Sequence, residues 1–166
     1  RRFEDGLQWS EYIVRLSQIK SRIRQTLDAF LASPSLRPKA RYMNLESIFK
    51  WSRRILELLA RGASGGRASE RAELQYGWLR DYRALIEQWS RWEATVRASV
   101  SYVRTRGLSV DSQSGLQLQQ HLLELPSELY DPILATELVT FVRESSAAAG
   151  PDERLVGSTE VLESLF

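Results

Sequence analysis

Asn44-Leu-Glu-Ser-Ile-Phe-Lys-Trp-Ser-Arg-Arg-Ile-Leu-Glu-Leu-Leu-Ala-Arg61 decides the fold of this chain. Asn44 is a natural N-cap, because its side-chain oxygen can accept from a free amide of the first turn. Leu45, Ile48, Ile55 and Leu59 follow at three- and four-residue multiples, and Phe49, Trp51, Leu56 and Leu58 widen that stripe. This period puts one apolar face on a helix of 3.6 residues per turn. Lys50, Arg53, Arg54 and Arg61 fall on a basic face. Gly62-Ala-Ser-Gly-Gly66 then supplies a C-cap and a flexible connection.

The same period extends in both directions. Upstream, Trp9, Tyr12, Leu16, Ile19, Ile23, Leu27 and Phe30 step by threes and fours, which predicts a helix over 7–32. Two prolines in Ser33-Pro-Ser-Leu-Arg-Pro38 end it. Downstream, Leu74, Trp78, Tyr82, Leu85, Trp89, Trp92, Val96, Val100 and Val103 predict one long helix over 69–106, with Gly77 marking a bend or break and Gly107 closing it. Such a helix would be about 57 Å long at 1.5 Å per residue. A loop over 108–115 leads to a shorter helix over 116–125, which Pro126 ends. Asp131 followed by Pro132 signals a further helix start. That helix carries Leu134, Leu138, Val139, Phe141 and Val142 and fades into Ala147-Ala-Ala-Gly150. Residues 151–156 are a connection or short strand, and Ser158 or Thr159 caps a terminal helix. No strand pattern and no internal repeat is evident. The expectation is an all-α chain, a bundle of long antiparallel helices, with 1–150 as one helical domain and 151–166 as the start of another element.

Composition narrows the function. The chain has 166 residues and no cysteine, which removes disulfides, thiolate metal sites and a cysteine nucleophile. No apolar run approaches the ~18 residues of a membrane span, so no membrane partner is expected and a reducing, cytoplasmic setting is compatible. The formal charge of +2 hides an asymmetry: residues 1–107 hold 21 Lys+Arg against 11 Asp+Glu, and residues 108–166 hold 2 against 10. A basic part of this kind suggests an anionic partner, most commonly nucleic acid; the alternative is a set of solvated helix faces whose charges pair with one another. Arginine outnumbers lysine 20 to 3, which suits bidentate phosphate contacts, although a GC-rich genome gives the same bias. Candidate DNA contacts are Lys50, Arg53, Arg54 and Arg61, together with Arg15, Arg22 and Arg24.

Other candidates are weaker. His121 is the single histidine, with no zinc-binding context, and is expected to be a packing or surface residue. The five tryptophans fit core positions; Trp51, between Lys50 and Arg53, is the best alternative candidate for a base-stacking platform. The glycine-rich run after Arg61 lacks a Gly-Lys-Ser/Thr ending and follows a helix, so it is not a phosphate-binding loop. Glu160 and Glu163 lie three apart near a helix start, where carboxylates complement the macrodipole.

The final segment, Gly157-Ser-Thr-Glu-Val-Leu-Glu-Ser-Leu-Phe166, resembles the stretch that bears the last catalytic glutamate in a group of bacterial DDE transposases. Lys39-Ala-Arg-Tyr-Met-Asn-Leu45 with Trp51 is similar to the entry of the helical region in those proteins, and Gly77-Trp-Leu-Arg-Asp-Tyr82 and 141–146 fit more loosely. The Gly-Lys and further basic residues that usually follow the motif are absent, and the chain opens on Arg1-Arg2 without an initiator Met. The expectation is therefore a segment of a longer enzyme. The resemblance implies an RNase H-like core interrupted by a helical insertion, with two aspartates upstream of Arg1. It places the third acidic residue, catalytic and Mg²⁺-ligating, at Glu163, with Glu160 as the alternative. Two Mg²⁺ ions would serve strand cleavage and transfer in such an enzyme. A lone carboxylate holds Mg²⁺ poorly, so the segment alone is expected neither to bind the ion tightly nor to cut DNA. The partners implied are DNA and the rest of the transposase core, with a homo-oligomer left open. The competing readings are a non-enzymatic helical protein–protein module and a helical RNA-binding module.

Overall fold

The computed structural model describes residues 6–23, 28–36, 45–109, 113–147 and 150. Every regular element among them is helical, so the all-α expectation holds. The helices are α1 (Leu7–Ile23), α2 (Leu45–Arg61), α3 (Gly66–Tyr76), α4 (Arg83–Arg106), α5 (Ser114–Leu123) and α6 (Pro132–Ser146). Short 3₁₀ turns at Ala29–Leu31, Gly62–Gly65, Gly77–Tyr82 and Ser127–Leu129 punctuate them. The contacts group the chain into two compact units, one running up to Trp89 and the other from Ser90 onward, with the division inside α4.

The first unit is built on aromatic packing between α1, α2 and the start of α4. Trp9, Tyr12, Leu16, Ile19 and Ile23 bury the inner face of α1, and Ile48, Phe49, Ile55, Leu56 and Leu59 that of α2. The Trp9 and Trp89 rings meet edge to face at 5.1 Å between centroids, and Trp9 stacks on Tyr12 at 5.7 Å. Such offset and edge contacts align the ring edges with the electron-rich faces of their neighbours. The Tyr12 hydroxyl is hydrogen-bonded to Ser52 Oγ, which itself donates to Ile48 O at 2.7 Å. Burial pushes the Tyr12 phenol well above its ordinary value.

The predicted single helix over 69–106 is broken. Helix α3 stops at Tyr76, residues Gly77–Tyr82 wind as a 3₁₀ turn, and α4 starts at Arg83. Tyr76, Leu79 and Tyr82 are buried, a spacing of three that matches three residues per turn. Leu74, expected on the apolar face, is 72% exposed instead. Glu73 and Arg80 clasp the break through paired bonds of 2.6 Å, and Arg80 Nη2 also donates to Leu59 O at 3.2 Å. Gly77 leaves room for that clasp, since a Cβ there would lie 2.7 Å from Glu73 Oε1.

Phe30 also departs from its expected place. It was expected on the buried face of a helix over 7–32, but α1 is described only to Ile23 and Ala29–Leu31 form a 3₁₀ turn. The turn buries Leu31 and leaves Phe30 54% exposed. Trp51 Nε1 donates to Leu31 O at 3.2 Å and fixes the turn against α2. The predicted cap Asn44 lies outside the described residues.

In the second unit, Val96, Tyr102 and Val103 of α4 pack with Leu108, with Leu118 and Leu122 of α5, and with Leu134, Leu138 and Val142 of α6. The predicted helix over 116–125 is observed at Ser114–Leu123. Helices α5 and α6 approach closely at Gly115, where a Cβ would lie 3.0 Å from Arg143 Cβ and 3.3 Å from Val139 O. Asp131 caps α6 as its sequence signals: its Oδ1 accepts from Leu134 N at 2.9 Å, with Pro132 in the first turn. Its own amide donates to Thr95 Oγ1 at 3.1 Å, tying the cap to α4.

Candidate nucleic-acid interface

Helix α2 positions most of the basic residues singled out by sequence. Its apolar face faces the core of the first unit, so positions half a turn away must face solvent. Lys50, Arg54 and Arg61 are exposed there, and Arg53 is half-buried at the edge of the same face. From Lys50 to Arg61 the stripe spans about 16 Å at 1.5 Å per residue. Lys50 Nζ lies 2.6 Å from Glu46 Oε1, one helical turn back, so its charge is partly answered. Arg53, Arg54 and Arg61 have no ion-pair partner among the described residues. Glu57 shares the exposed face with them.

Helix α1 contributes Arg15 and Arg22, seven residues apart and therefore on one side of the helix, both exposed. The Arg15 guanidinium sits over the Trp78 ring at 5.5 Å from its centroid, a cation–π contact that orients it. Arg24 lies outside the described residues, as do Glu160 and Glu163.

Some charges of the basic part pair with carboxylates and others do not. Glu73–Arg80, Glu93–Arg97 and Glu46–Lys50 are surface pairs of the ordinary kind, at 2.6, 3.3 and 2.6 Å. The outward arginines of α2 are not consumed in this way. Up to Trp89 the chain holds 17 Lys+Arg against 10 Asp+Glu, and from Ser90 on it holds 6 against 11. The positive balance therefore belongs to the unit that carries α2.

Trp51 is not a stacking platform. It is 9% exposed, meets Tyr76 edge to face at 5.0 Å, and spends its indole N–H on Leu31 O. Sequence alone could not exclude exposure, because position 51 borders both the apolar and the basic stripes of α2. Tyr76 is buried as well, its phenol pushed up to about 12 by desolvation and its hydroxyl without a hydrogen-bond partner among the described residues.

Two clefts went unsignalled by sequence motifs. In the first unit, Asp28, Phe30, Arg67, Ala68 and Arg71 line a cavity of about 290 Å³. Arg67 and Arg71 are one turn apart on α3, directly after the glycine-rich run, a spacing visible in the sequence but without meaning until Phe30 is seen beside it. In the second unit, a cleft of about 560 Å³ is lined by polar side chains including Tyr102, Arg106, Gln117, His121 and Glu124. Tyr102 donates to Gln117 Oε1 at 3.1 Å, and His121 Nδ1 lies 3.3 Å from Glu124 Oε2 with its ring tilted against Tyr102 at 6.0 Å.

Among the described residues no three carboxylate or imidazole side chains converge in a way that could hold a metal ion. The described residues do not by themselves fit a magnesium centre. No described helix is long and apolar enough to cross a membrane. Comparison with protein-family models, with curated proteins and with solved structures finds no match to this chain.

Proposed function

We propose that the first unit binds the phosphate backbone of duplex DNA through the outward face of α2, and that the chain is the helical insertion of a DDE transposase. The observation that carries the binding reading is the set of arginines at 53, 54 and 61, held on one outward side of α2 with no carboxylate paired to them among the described residues. A rigid helix presenting guanidinium groups on one side, with Arg54 and Arg61 two turns apart, matches what phosphate contacts need: fixed position, planar donors and permanent charge. Contacts of this kind set register and affinity without reading bases. The all-α architecture is the one the resemblance implies for such an insertion. The transposase parentage rests on the resemblance at 157–166 and at 39–45, and on no other observation.

The binding reading is tested with a fluorescently labelled duplex titrated at low and at moderate salt. Binding at low salt that weakens steeply as salt rises supports it; no binding at the lowest salt refutes it. RNA competing better than DNA of the same length favours the RNA-binding alternative. The parentage is tested separately in the gene. The expected result is an upstream pair of aspartates after hydrophobic strands and a Lys/Arg-rich continuation after Phe166. An open reading frame without those acids refutes it.

A further inference from the structure

The cavity between the Ala29–Leu31 turn and α3 has a chemistry that the backbone contacts of α2 do not use. Large apolar side chains are normally withdrawn from water, yet Phe30 is 54% exposed. The exposure is imposed rather than incidental. Leu31 is buried and its carbonyl is held by Trp51, so the residue before it is turned outward at the mouth of the cavity. Facing it, Arg67 and Arg71 stand one helical turn apart on α3. Arg71 Nε lies 3.7 Å from Asp28 Oδ1, and Asp28 is 8% exposed. That buried carboxylate holds Arg71 at the wall of the same cavity. Arg67 is exposed and has no ion-pair partner among the described residues.

We infer that this cavity takes one nucleoside phosphate unit, its base stacked on Phe30 and its phosphate held by Arg67, with Arg71 alongside. An exposed aromatic ring next to guanidinium groups is the combination that binds unpaired nucleotides, because every base has a π face and every linkage a negative charge. A volume of about 290 Å³ is on the scale of a single nucleotide. The source of the unit is an unpaired nucleotide in a nucleic-acid strand, or a free mononucleotide. The first of these rests on the nucleic-acid reading of the α2 face; the second does not.

The test uses the whole chain with three probes: a short single-stranded DNA carrying 2-aminopurine, a duplex of the same length, and AMP. The variants are Phe30→Ala, Phe30→Trp and Arg67→Ala, all at exposed positions, with circular dichroism confirming the helical fold. The expected result is that Phe30→Ala weakens single-strand binding about tenfold, within the range known for base–aromatic stacking. The same variant should abolish the binding-induced change in 2-aminopurine fluorescence and leave duplex affinity unchanged. Phe30→Trp should restore both single-strand readouts, and Arg67→Ala should weaken single-strand binding. AMP binding that depends on Phe30, with no gain from a longer strand, assigns the site to a free nucleotide. Duplex binding that persists while neither single-strand nor AMP binding responds to Phe30→Ala overturns this inference and leaves the α2 reading intact. No binding of any probe at low salt overturns both.

Discussion

Replacing Trp51 by alanine distinguishes packing from recognition at the position where the two overlap in sequence. The side chain is 9% exposed, its ring meets Tyr76 edge to face at 5.0 Å, and its N–H donates to Leu31 O at 3.2 Å. Truncating a buried tryptophan costs about 3–5 kcal/mol in lost transfer energy and residual cavity. The abandoned Leu31 carbonyl adds about 1 kcal/mol, so a loss of about 5 kcal/mol is expected. With a urea dependence of about 2 kcal/mol per molar, the unfolding midpoint should fall by about 2.5 M. Trp51→Phe keeps a ring against Tyr76 and loses mainly the N–H donor; its expected cost is about 1–2 kcal/mol, which keeps the measurement usable if the alanine variant does not fold. The assay is urea denaturation followed by far-UV circular dichroism. An unchanged midpoint in Trp51→Ala, accompanied by weaker oligonucleotide binding, would refute the assignment of Trp51 to the core.

Three further outcomes follow from the same geometry. Asp131→Ala removes the bond to Leu134 N and should destabilise by about 1 kcal/mol, measured by thermal or urea unfolding, whereas Asp131→Asn should recover most of that loss. Tyr76→Phe deletes a buried hydroxyl that has no partner among the described residues and should be neutral or stabilising by up to about 1 kcal/mol; a clear loss of stability would show that the hydroxyl is bonded. The Tyr12 and Tyr76 phenols are both raised by burial, Tyr76 to about 12. The unfolded chain therefore ionises first, and stability should be level below pH about 10 and decline above it. A urea midpoint that does not move between pH about 9 and about 11 would contradict the buried placement of both rings.

The helix type and the two clearest boundaries were legible because they rest on local chemistry. The apolar period of α2 and the Asp131-Pro132 start of α6 are set by residues within a turn of each other. The break at Gly77 was only half legible. A 3.6-residue period fits Leu74, Trp78, Tyr82 and Leu85 equally well on paper. The chain instead follows Tyr76, Leu79 and Tyr82 at intervals of three, because Arg80 can then reach both Glu73 and the Leu59 carbonyl. That choice depends on α2, which is distant in sequence. Phe30 was misplaced for a similar reason: the turn around it is held by Trp51, twenty residues away. The seam between Trp89 and Ser90 falls within one continuous helix, and no proline, glycine or polar linker announces it.

The candidate site divides along the same line. The basic stripe of α2 was visible because a single helix carries it, and its solvent-facing placement follows from the apolar stripe opposite. The Phe30–Arg67–Arg71 cavity was invisible because its members come from separate elements and depend on a 3₁₀ turn. The fate of Trp51 likewise depended on partners, Leu31 and Tyr76, that periodicity does not identify.

The most direct measurement on the central claim is the salt dependence of duplex binding by the intact chain and by its Arg53→Ala/Arg54→Ala/Arg61→Ala variant. All three positions lie at the solvent-facing side or its edge, so the fold should survive, as circular dichroism can verify. Three phosphate contacts contribute about −2.7 to the slope of log K against log salt. The variant should bind more weakly at low salt, with a slope shallower by about that amount. An identical slope and affinity in the two proteins would mean that the outward face of α2 does not contact the nucleic-acid backbone.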